Sequence, residues 1–534
     1  MKISLAQINP TVGDIQSNYK LIVKHAKIAQ ESNAEILITP ELSICGYPPE
    51  DLLLNKDFID ECNDSLIKVA QEFPELRIII GHPRSHKGLL FNSASILYKG
   101  KIEKTYDKQV LPNYGVFDEK RYFQAGNKSL VFTHKDKKFA LLICEDIWAK
   151  GPAEKLPKVD YIICVNASPY EVNKYEARIK ELKKRAPFKN CTLIYLNLVG
   201  GQDDLLFDGG SFIYNKRNGL IDQLEQFESK NKVINLKKFD KIDNPINNKI
   251  FVTPIKTLLN GLTLALKDYL SKNSIKNIFI GLSGGIDSAV VLYIASQAFK
   301  KENITAIMMP SSYTAKASLE DAKELTSNLS ITYKVNPIEP LMKSFAKSLS
   351  KEFNKLPEDL TEENIQARIR GVLLMAYANK FNGIVLATSN KSEVAVGYST
   401  LYGDMVGGFS VLKDVPKTLV YKIAEEINIS NQIIPERILT RAPSAELAEN
   451  QTDQDSLPDY EVLDGIIDLY VEKNKSIKMI IKEGYSAQVV KKVIKLIHMN
   501  EFKRRQAAPG PKVTNKAFGK DRRYPITSKY KPFK

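Results

Sequence analysis

The chain has little of what marks the specialised protein classes. Its five cysteines, Cys45, Cys62, Cys144, Cys164 and Cys191, form an odd set with no CxxC spacing. That argues against a disulfide framework and a zinc site, and predicts reduced thiols. No apolar run approaches the roughly 20 residues of a membrane span. The opening stretch, MKISLAQINP, is too short in its apolar run for a signal peptide, so a cytoplasmic protein with no membrane partner is expected. Internal repeats and low-complexity segments are absent, and 43% hydrophobic against 26% charged residues is an ordinary globular composition. A Walker loop is missing too, because no Gly-Lys-Ser/Thr follows the glycines at 284–285. The length of 534 residues suggests two or more domains.

Positive charge is not scarce. The net charge is +15, and residues 503–534 hold eleven Lys/Arg against the single Asp521. Such a tail reads as a solvated or partner-binding arm, as an RNA-binding arm, or as a cover for a polyanionic small ligand. Charge alone does not choose between these.

Residues 1–245 and 246–534 read as different domains. The first opens with a strand at Ile3–Ile8, a helix at Ile15–Glu31 and an apolar run at Ile36–Pro40. Strand-like runs follow at Arg77–Gly81, Ser93–Tyr98, Phe139–Cys144, Tyr161–Val165, Leu193–Leu198 and Ser211–Tyr214, with helical patterns at Asp57–Phe73 and Val172–Arg185. This alternation implies a layered α/β domain. The polar stretch Gln226–Lys249 reads as its edge running into a linker. The second domain begins with an amphipathic helix, Pro254–Leu270, and a strand, Asn277–Ile280. Strands at Ile304–Met309, Ile331–Val335 and Gly383–Ala387 alternate with helices such as Glu362–Lys380. That is a doubly wound parallel α/β sheet, whose ligands belong at the C-terminal ends of the strands.

Between the strand Asn277–Ile280 and the apolar helix Ser288–Phe299 lies Gly281-Leu282-Ser283-Gly284-Gly285-Ile286-Asp287-Ser288. Glycines admit close approach, backbone amides point inward, and a helix N-terminus favours negative charge, so the stretch predicts an anion site. It resembles the pyrophosphate loop of ATP pyrophosphatases, which adenylate a substrate before ammonia displaces AMP.

The first domain holds a different chemistry. Glu41 follows a strand in Thr39-Pro40-Glu41-Leu42, Lys108 sits in a turn-rich loop from Tyr106 to Tyr114, and Cys144 stands where a buried strand breaks into Glu145-Asp146-Ile147-Trp148. A thiol that attacks, a carboxylate that takes its proton and an ammonium that steadies a developing oxyanion suffice to hydrolyse an amide. These stretches resemble the nitrilase (carbon–nitrogen hydrolase) superfamily over about residues 1–245. The resemblance implies an αββα sandwich with Glu41, Lys108 and Cys144 as its triad. Glu119 corresponds to a supplementary carboxylate, with an exposed turn glutamate as the alternative. In glutamine-using relatives the positions of Tyr114, Ser168 and Lys174 hold the substrate. Here Asn173 precedes Lys174 where a glycine is expected, which puts the local loop geometry in question.

The second domain is similar to the NAD synthetases. It carries Asn390-Lys391-Ser392-Glu393, the segments 441–447 (RAPSAEL) and 455–460 (DSLPDY), and tail segments from Lys503 to Pro525. By that resemblance the loop Gly281–Ser288, Met309 and Thr388 contact ATP. Asn364, Glu393, Lys413 and Lys503 contact deamido-NAD. Asp287 and Glu393 are the expected Mg²⁺ ligands, since a hard cation bridging phosphates takes carboxylates. Gln366 and Arg370 share one face of the helix Glu362–Lys380.

A nitrilase-type glutaminase ahead of such a module resembles the glutamine-dependent NAD synthetase family over nearly the whole chain. L-glutamine, ATP and deamido-NAD are then its small-molecule substrates, and a homo-oligomer without nucleic acid is expected. Two other readings stay open on the residues alone. One is a glutamine-fed amidotransferase acting on a different acid. The other is a tRNA-modifying pyrophosphatase, although such thiolating relatives need cysteine pairs that this chain lacks.

Overall fold

Alternation along the first strands decides which way each side chain faces. Leu5, Ile36, Ile38 and Ile79 enter one apolar cluster, whereas Ala6, Leu37, Ile78 and Ile80, their neighbours in sequence, enter another. A strand with both faces apolar must be covered on both sides, so it lies in the interior of a layered structure. The computed structural model describes residues 1–184, 191–217, 219–236, 253–354, 356–449, 451–530 and 532. It divides into two units, Met1–Val252 and Thr253–Lys534. The boundary expected at 245/246 lies outside the described residues.

In the first unit the elements run β1 (Lys2–Gln7), α1 (Ile15–Glu31), β2 (Ile36–Ile38), α2 (Lys56–Glu72), β3 (Arg77–His86), β4 (Leu89–Tyr98), β5 (Lys101–Asp107), β6 (Leu130–His134), β7 (Lys137–Ile143), β8 (Tyr161–Asn166), α3 (Lys174–Lys184), β9 (Thr192–Asn197), β10 (Val199–Gln202), β11 (Leu205–Asp208), β12 (Phe212–Asn215), β13 (Gly219–Gln223) and β14 (Lys230–Asn235). Two six-stranded sheets form, ordered β14-β1-β2-β3-β4-β5 and β13-β12-β9-β8-β7-β6, and β10 pairs with β11 as a separate ribbon. One cluster joins the facing sides of the two sheets, with Ile3, Ile38 and Ile96 from the first and Leu141, Ile163 and Ile213 from the second. The other packs α1 and α2 on the outer side of the first sheet, through Ile22, Ala26, Leu66 and Val69. On the outer side of the second sheet, α3 packs through Leu182 and through an edge contact of Tyr175 with Phe212. The αββα sandwich expected from the resemblance is present.

The second unit runs α4 (Pro254–Lys272), β15 (Ile278–Gly281), α5 (Ile286–Ala298), β16 (Ile304–Met308), α6 (Lys316–Leu329), β17 (Thr332–Val335), α7 (Glu339–Phe353), α8 (Leu360–Lys380), β18 (Ile384–Ala387), α9 (Lys391–Val396), β19 (Phe409–Ser410) and α10 (Lys417–Asn428), followed by further short helices. All five strands are parallel, in the order β17-β16-β15-β18-β19. The chain winds outward from β15 in one direction, then returns to add β18 on its other side. The switch point therefore lies between β15 and β18, and a crevice opens there at the strands' C-terminal ends.

The basic tail is no free arm over its middle part. Asp414 accepts hydrogen bonds from the backbone of Val513 and Thr514 and from the Thr514 hydroxyl, at 2.8–2.9 Å. The buried Lys391 ammonium binds Thr514, Glu472 and Asp414 at 2.6, 2.7 and 3.1 Å. Among the described residues no helix is long and apolar enough to cross a membrane.

Candidate active site

In the first unit, β7 ends at Ile143 and the chain turns at once into a short 3₁₀ helix, Cys144–Ile147. Cys144 heads that turn with φ +43°, a left-handed conformation that a non-glycine residue adopts only when its surroundings impose it. Asp146 supplies the constraint. Its Oδ1 accepts from the Gln109 and Val110 amides at 3.0 and 2.7 Å, and its Oδ2 from the Tyr106 hydroxyl at 2.9 Å and the Ile143 amide at 3.3 Å. One buried carboxylate thus ties the turn bearing Cys144 to the loop bearing Lys108. Burial pushes its own pKa up to about 6.

The ends of β2, β5 and β8 and the interior of β4 deliver the remaining groups. Glu41 follows β2, and Gly81 of β3 makes room for its turn, since a Cβ there would lie 2.4 Å from the Pro40 carbonyl oxygen. Glu41 Oε1 accepts from Asn92 of β4 at 2.8 Å, and Oε2 from the Ala167 amide beyond β8 at 2.8 Å. Lys108, just past β5, donates to Glu41 Oε1 and to Glu119 Oε1, both at 2.7 Å. Tyr47 donates to Glu119 at 2.9 Å. Glu119 is therefore no exposed turn residue, being 5% accessible. Burial works against the Lys108 charge, but Glu119 and Glu41 outweigh it and hold the ammonium well above its usual pKa. One ammonium between two buried carboxylates leaves one negative charge uncompensated. Glu119 is the group that yields, its pKa raised by burial to about 7. Burial, reinforced by Glu41, likewise pushes the Cys144 thiol well above its ordinary range, with Lys108 opposing. The resting site thus holds a protonated thiol beside a carboxylate base.

A cavity of about 240 Å³ opens over Cys144 and is lined by Tyr114, Trp148, Ser168, Lys174 and Arg178, among others. The three positions expected to hold the amide substrate therefore meet around the thiol. Asn173 adopts φ +66°, the left-handed conformation for which a glycine was expected and which asparagine tolerates. Asn92, Tyr47 and Arg178 had no sequence signal. Asn92 lies inside a ten-residue strand and Arg178 mid-helix, and only tertiary pairing brings either to the site.

In the second unit, Gly284 takes φ +78° and packs so closely that a Cβ would lie 2.6 Å from the Ser318 carbonyl oxygen. Glycine alone fits. Gly285 caps α5 without a side chain, so the first-turn amides of Ile286, Asp287 and Ser288 keep no intrahelical partner and face the crevice. A cavity of about 170 Å³ is lined by Ser283–Ser288, Thr388 and Glu393, together with Lys417, Asp453 and the segment Arg441–Glu446. The Lys417 ammonium binds Asp287 at 2.5 Å and Glu393 at 3.3 Å. Burial opposes that charge, but Asp287 and Glu393 raise its pKa. Burial and Asp287 push Glu393 up to about 8. Lys417 opens α10 after Val-Pro, and no local pattern announced it.

Other expected residues stand elsewhere. Met309 is buried beneath the loop and accepts from Arg370 Nε through its carbonyl at 3.0 Å. Gln366, on the same helix face, donates to the Leu447 carbonyl at 2.9 Å. Asn364 accepts from the Thr400 hydroxyl at 2.7 Å. Lys413 donates to the Ala508 carbonyl at 2.6 Å, and Lys503 to the carbonyls of Gly397 and Ser399 at 2.8 and 2.7 Å. None of these six lines the cavity over the loop.

The donor set at Asp287 and Glu393 suits magnesium arriving with phosphates. Among the described residues no group of three or more His, Cys, Asp or Glu side chains is arranged to hold a metal alone. Magnesium is commonly held by one or two carboxylates, with substrate phosphates and water completing its shell. Two carboxylates that already converge on one cation meet that requirement.

The family models for carbon–nitrogen hydrolase and NAD synthase match residues 2–234 and 258–507. The chain is 44% identical to a glutamine-dependent NAD(+) synthetase of Acinetobacter baylyi and 42% identical to one of Synechocystis, with 99% of both chains covered in each case. It is similar to the solved structure of a glutamine-dependent NAD+ synthetase from Acinetobacter baumannii in complex with adenosine diphosphate, at a TM-score of 0.79 and 40% identity over 98% of each chain. A thiol–lysine–carboxylate site and a pyrophosphate-type loop on one chain, matched over its full length by such relatives, lead to one conclusion: the chain belongs to the glutamine-dependent NAD(+) synthetases.

Proposed function

We propose that the chain converts deamido-NAD to NAD with ATP, using ammonia that its first unit releases from L-glutamine, and that AMP, pyrophosphate and glutamate are the other products. The observation that carries this is a lysine ammonium 2.7 Å from each of two buried carboxylates beside Cys144, on one chain with a glycine loop that ends in Asp287 rather than a Walker lysine.

At the first site Glu41 takes the Cys144 proton as sulfur attacks the glutamine amide carbon, and Lys108 steadies the oxyanion. The amide nitrogen takes that proton and leaves as ammonia. Glu41 then removes a proton from water, which attacks the thioester, and glutamate leaves as the thiol is re-protonated. Glu119 and Tyr47 keep Lys108 in place. Tyr114, Ser168 and Lys174 hold the glutamine.

At the second site the amides that open α5 and the hydroxyls of Ser283 and Ser288 receive the ATP phosphates. The nicotinate carboxylate of deamido-NAD attacks the α-phosphorus and pyrophosphate leaves. Ammonia then attacks the acyl carbon and AMP leaves. A resting carboxylate is a poor electrophile, which is why adenylation must come first. Asp287 and Glu393 would hold Mg²⁺, which when bound offsets phosphate charge. Thr388 and Met309 belong to the ATP side of the site, and Asn364, Lys413 and Lys503 to the deamido-NAD side. Lys417 positions the two carboxylates and adds positive charge beside the phosphates.

The same proposal places the protein in the cytoplasm as a homo-oligomer that needs no nucleic acid. Five free, buried cysteines support the compartment. Exposed Leu341, Phe345, Val372 and Met375 on α7 and α8 support self-association. The deciding assay incubates purified protein with ATP, Mg²⁺, deamido-NAD and glutamine and follows NAD, AMP and pyrophosphate. Stoichiometric ADP and orthophosphate would overturn the adenylation step. Salt-resistant tRNA binding would overturn the exclusion of nucleic acid.

A further inference from the structure

Arg178 is a second buried cation at the first site, one that the thiol chemistry does not need. It lies in the cavity wall at 5% exposure, and Asp208 holds its Nη1 through both carboxylate oxygens at 3.1–3.2 Å. Its Nη2 donates to Ser168 Oγ at 2.9 Å. A guanidinium has donors only, so the Ser168 oxygen must accept and its own proton must point elsewhere. Among the described residues that proton finds no acceptor. The backbone of Ser168 is fixed as well. Its amide donates to Asn197 Oδ1 at 2.9 Å, and Asn197 Nδ2 donates to Asp208 Oδ1 at 3.1 Å, which closes a ring. Arg178 Nε, buried in the same wall, has no hydrogen-bond partner among the described residues.

We infer that Arg178 sets the polarity of the Ser168 hydroxyl, so that it donates into the cavity and selects amide substrates carrying an α-carboxylate. Arg178, Asp208 and Asn197 are positioning residues that act through Ser168. An anion arriving beside Ser168 and Lys174 meets a hydroxyl with one lone pair engaged by the guanidinium and its proton turned away from it, whereas a serine without that partner is free to turn either its proton or its lone pairs to the cavity. The unspent Nε adds positive potential behind it. The inference rests on the glutaminase reading of this unit.

The test measures hydrolysis of three amides by the full chain: glutamine, glutaramate (carboxylate but no α-amine) and 4-aminobutanamide (amine but no carboxylate). R178K should raise the KM for glutamine and glutaramate about 10- to 100-fold, as for a lost hydrogen bond to a charged group, with kcat little changed. Its KM for 4-aminobutanamide should not move. S168A should give the same pattern, and S168A/R178K should be no worse than S168A, since both changes remove one interaction. Ammonia-fed NAD formation and the fluorescence of the single tryptophan, Trp148, report folding. Should R178K not fold, D208N should show the same split in weaker form. Equal effects on all three amides, or additive effects in the double variant, would overturn the inference. Failure of the wild type to hydrolyse any of the three would instead overturn the glutaminase reading beneath it.

Discussion

Replacing Lys108 by methionine keeps most of the length of the side chain and deletes the charge. The ammonium is 1% accessible and lies 2.7 Å from Glu41 and from Glu119, which are 0% and 5% accessible. Its loss leaves two buried carboxylates facing one another without a counter-ion. Breaking a buried ion pair from one side costs about 3–5 kcal/mol. With an m-value of about 2–3 kcal/mol/M in urea, that is a midpoint shift of about 1–2 M. The pH dependence follows from Glu119, whose pKa is already raised to about 7 by burial and climbs further once Lys108 is gone. A raised carboxyl binds its proton more tightly folded than unfolded. The penalty should therefore be smaller at pH 5, where Glu119 is protonated in the folded state and Glu41 alone loses its counter-ion, and grow towards pH 8. K108M/E119Q, which removes the cation and one anion, should recover at least half of the lost stability and none of the glutaminase activity. Urea unfolding read by Trp148 fluorescence is the assay, because the only tryptophan sits in this unit beside Cys144. A K108M midpoint within 0.3 M or so of wild type, or a shift independent of pH, would refute the picture of Lys108 as shared counter-ion.

C144A should lower glutamine-fed NAD formation by more than about a thousandfold while ammonia-fed formation at raised pH persists; parallel loss of both would put the thiol outside nitrogen supply. K417A leaves Asp287 and Glu393 without their bridging cation and should cut NAD formation about a hundredfold with either nitrogen source, with glutamine hydrolysis as the unaffected control. Chelation of Mg²⁺ should stop NAD formation and spare basal glutaminase turnover, measured as glutamate released. For Asp146, burial raises the folded pKa to about 6 from an ordinary value near 4. The folded state then binds the extra proton, so this group's contribution to stability falls as pH rises from about 4 to about 6. D146N should flatten that part of the melting-temperature profile, and an unchanged slope would assign it to another group.

The sequence by itself determined the elements whose pattern is local. The helix Ile15–Glu31 and the strands around residues 3–8, 161–165 and 304–309 follow from the periodicity of apolar side chains, because burial of one face fixes that period. The motifs around Cys144 and Ser283–Ser288 were legible for a similar reason, since a strand that breaks into a turn or a glycine loop leaves a mark within a few residues. Other features had no such mark. The strand from Arg77 runs on through His82, Arg84 and Ser85 because β4 pairs with it residue by residue, a partner its polar side chains do not announce. The tail looked like a basic arm, yet Thr514 is buried because Asp414 and Lys391, about 100 and 120 residues earlier, gather its polar groups. The protonation of the first site was decided by tertiary structure too. Glu119 became a buried partner of Lys108 because Tyr47 and the triad lie over it, and Cys144 stays a thiol because burial and Glu41 outweigh the nearby ammonium. Lys417 and Arg178 complete the two sites from helix positions that no motif marks. Side-chain spacing within one element is written in the chain, whereas the electrostatics of a site depends on groups brought together from many elements, and those distances exist only after folding.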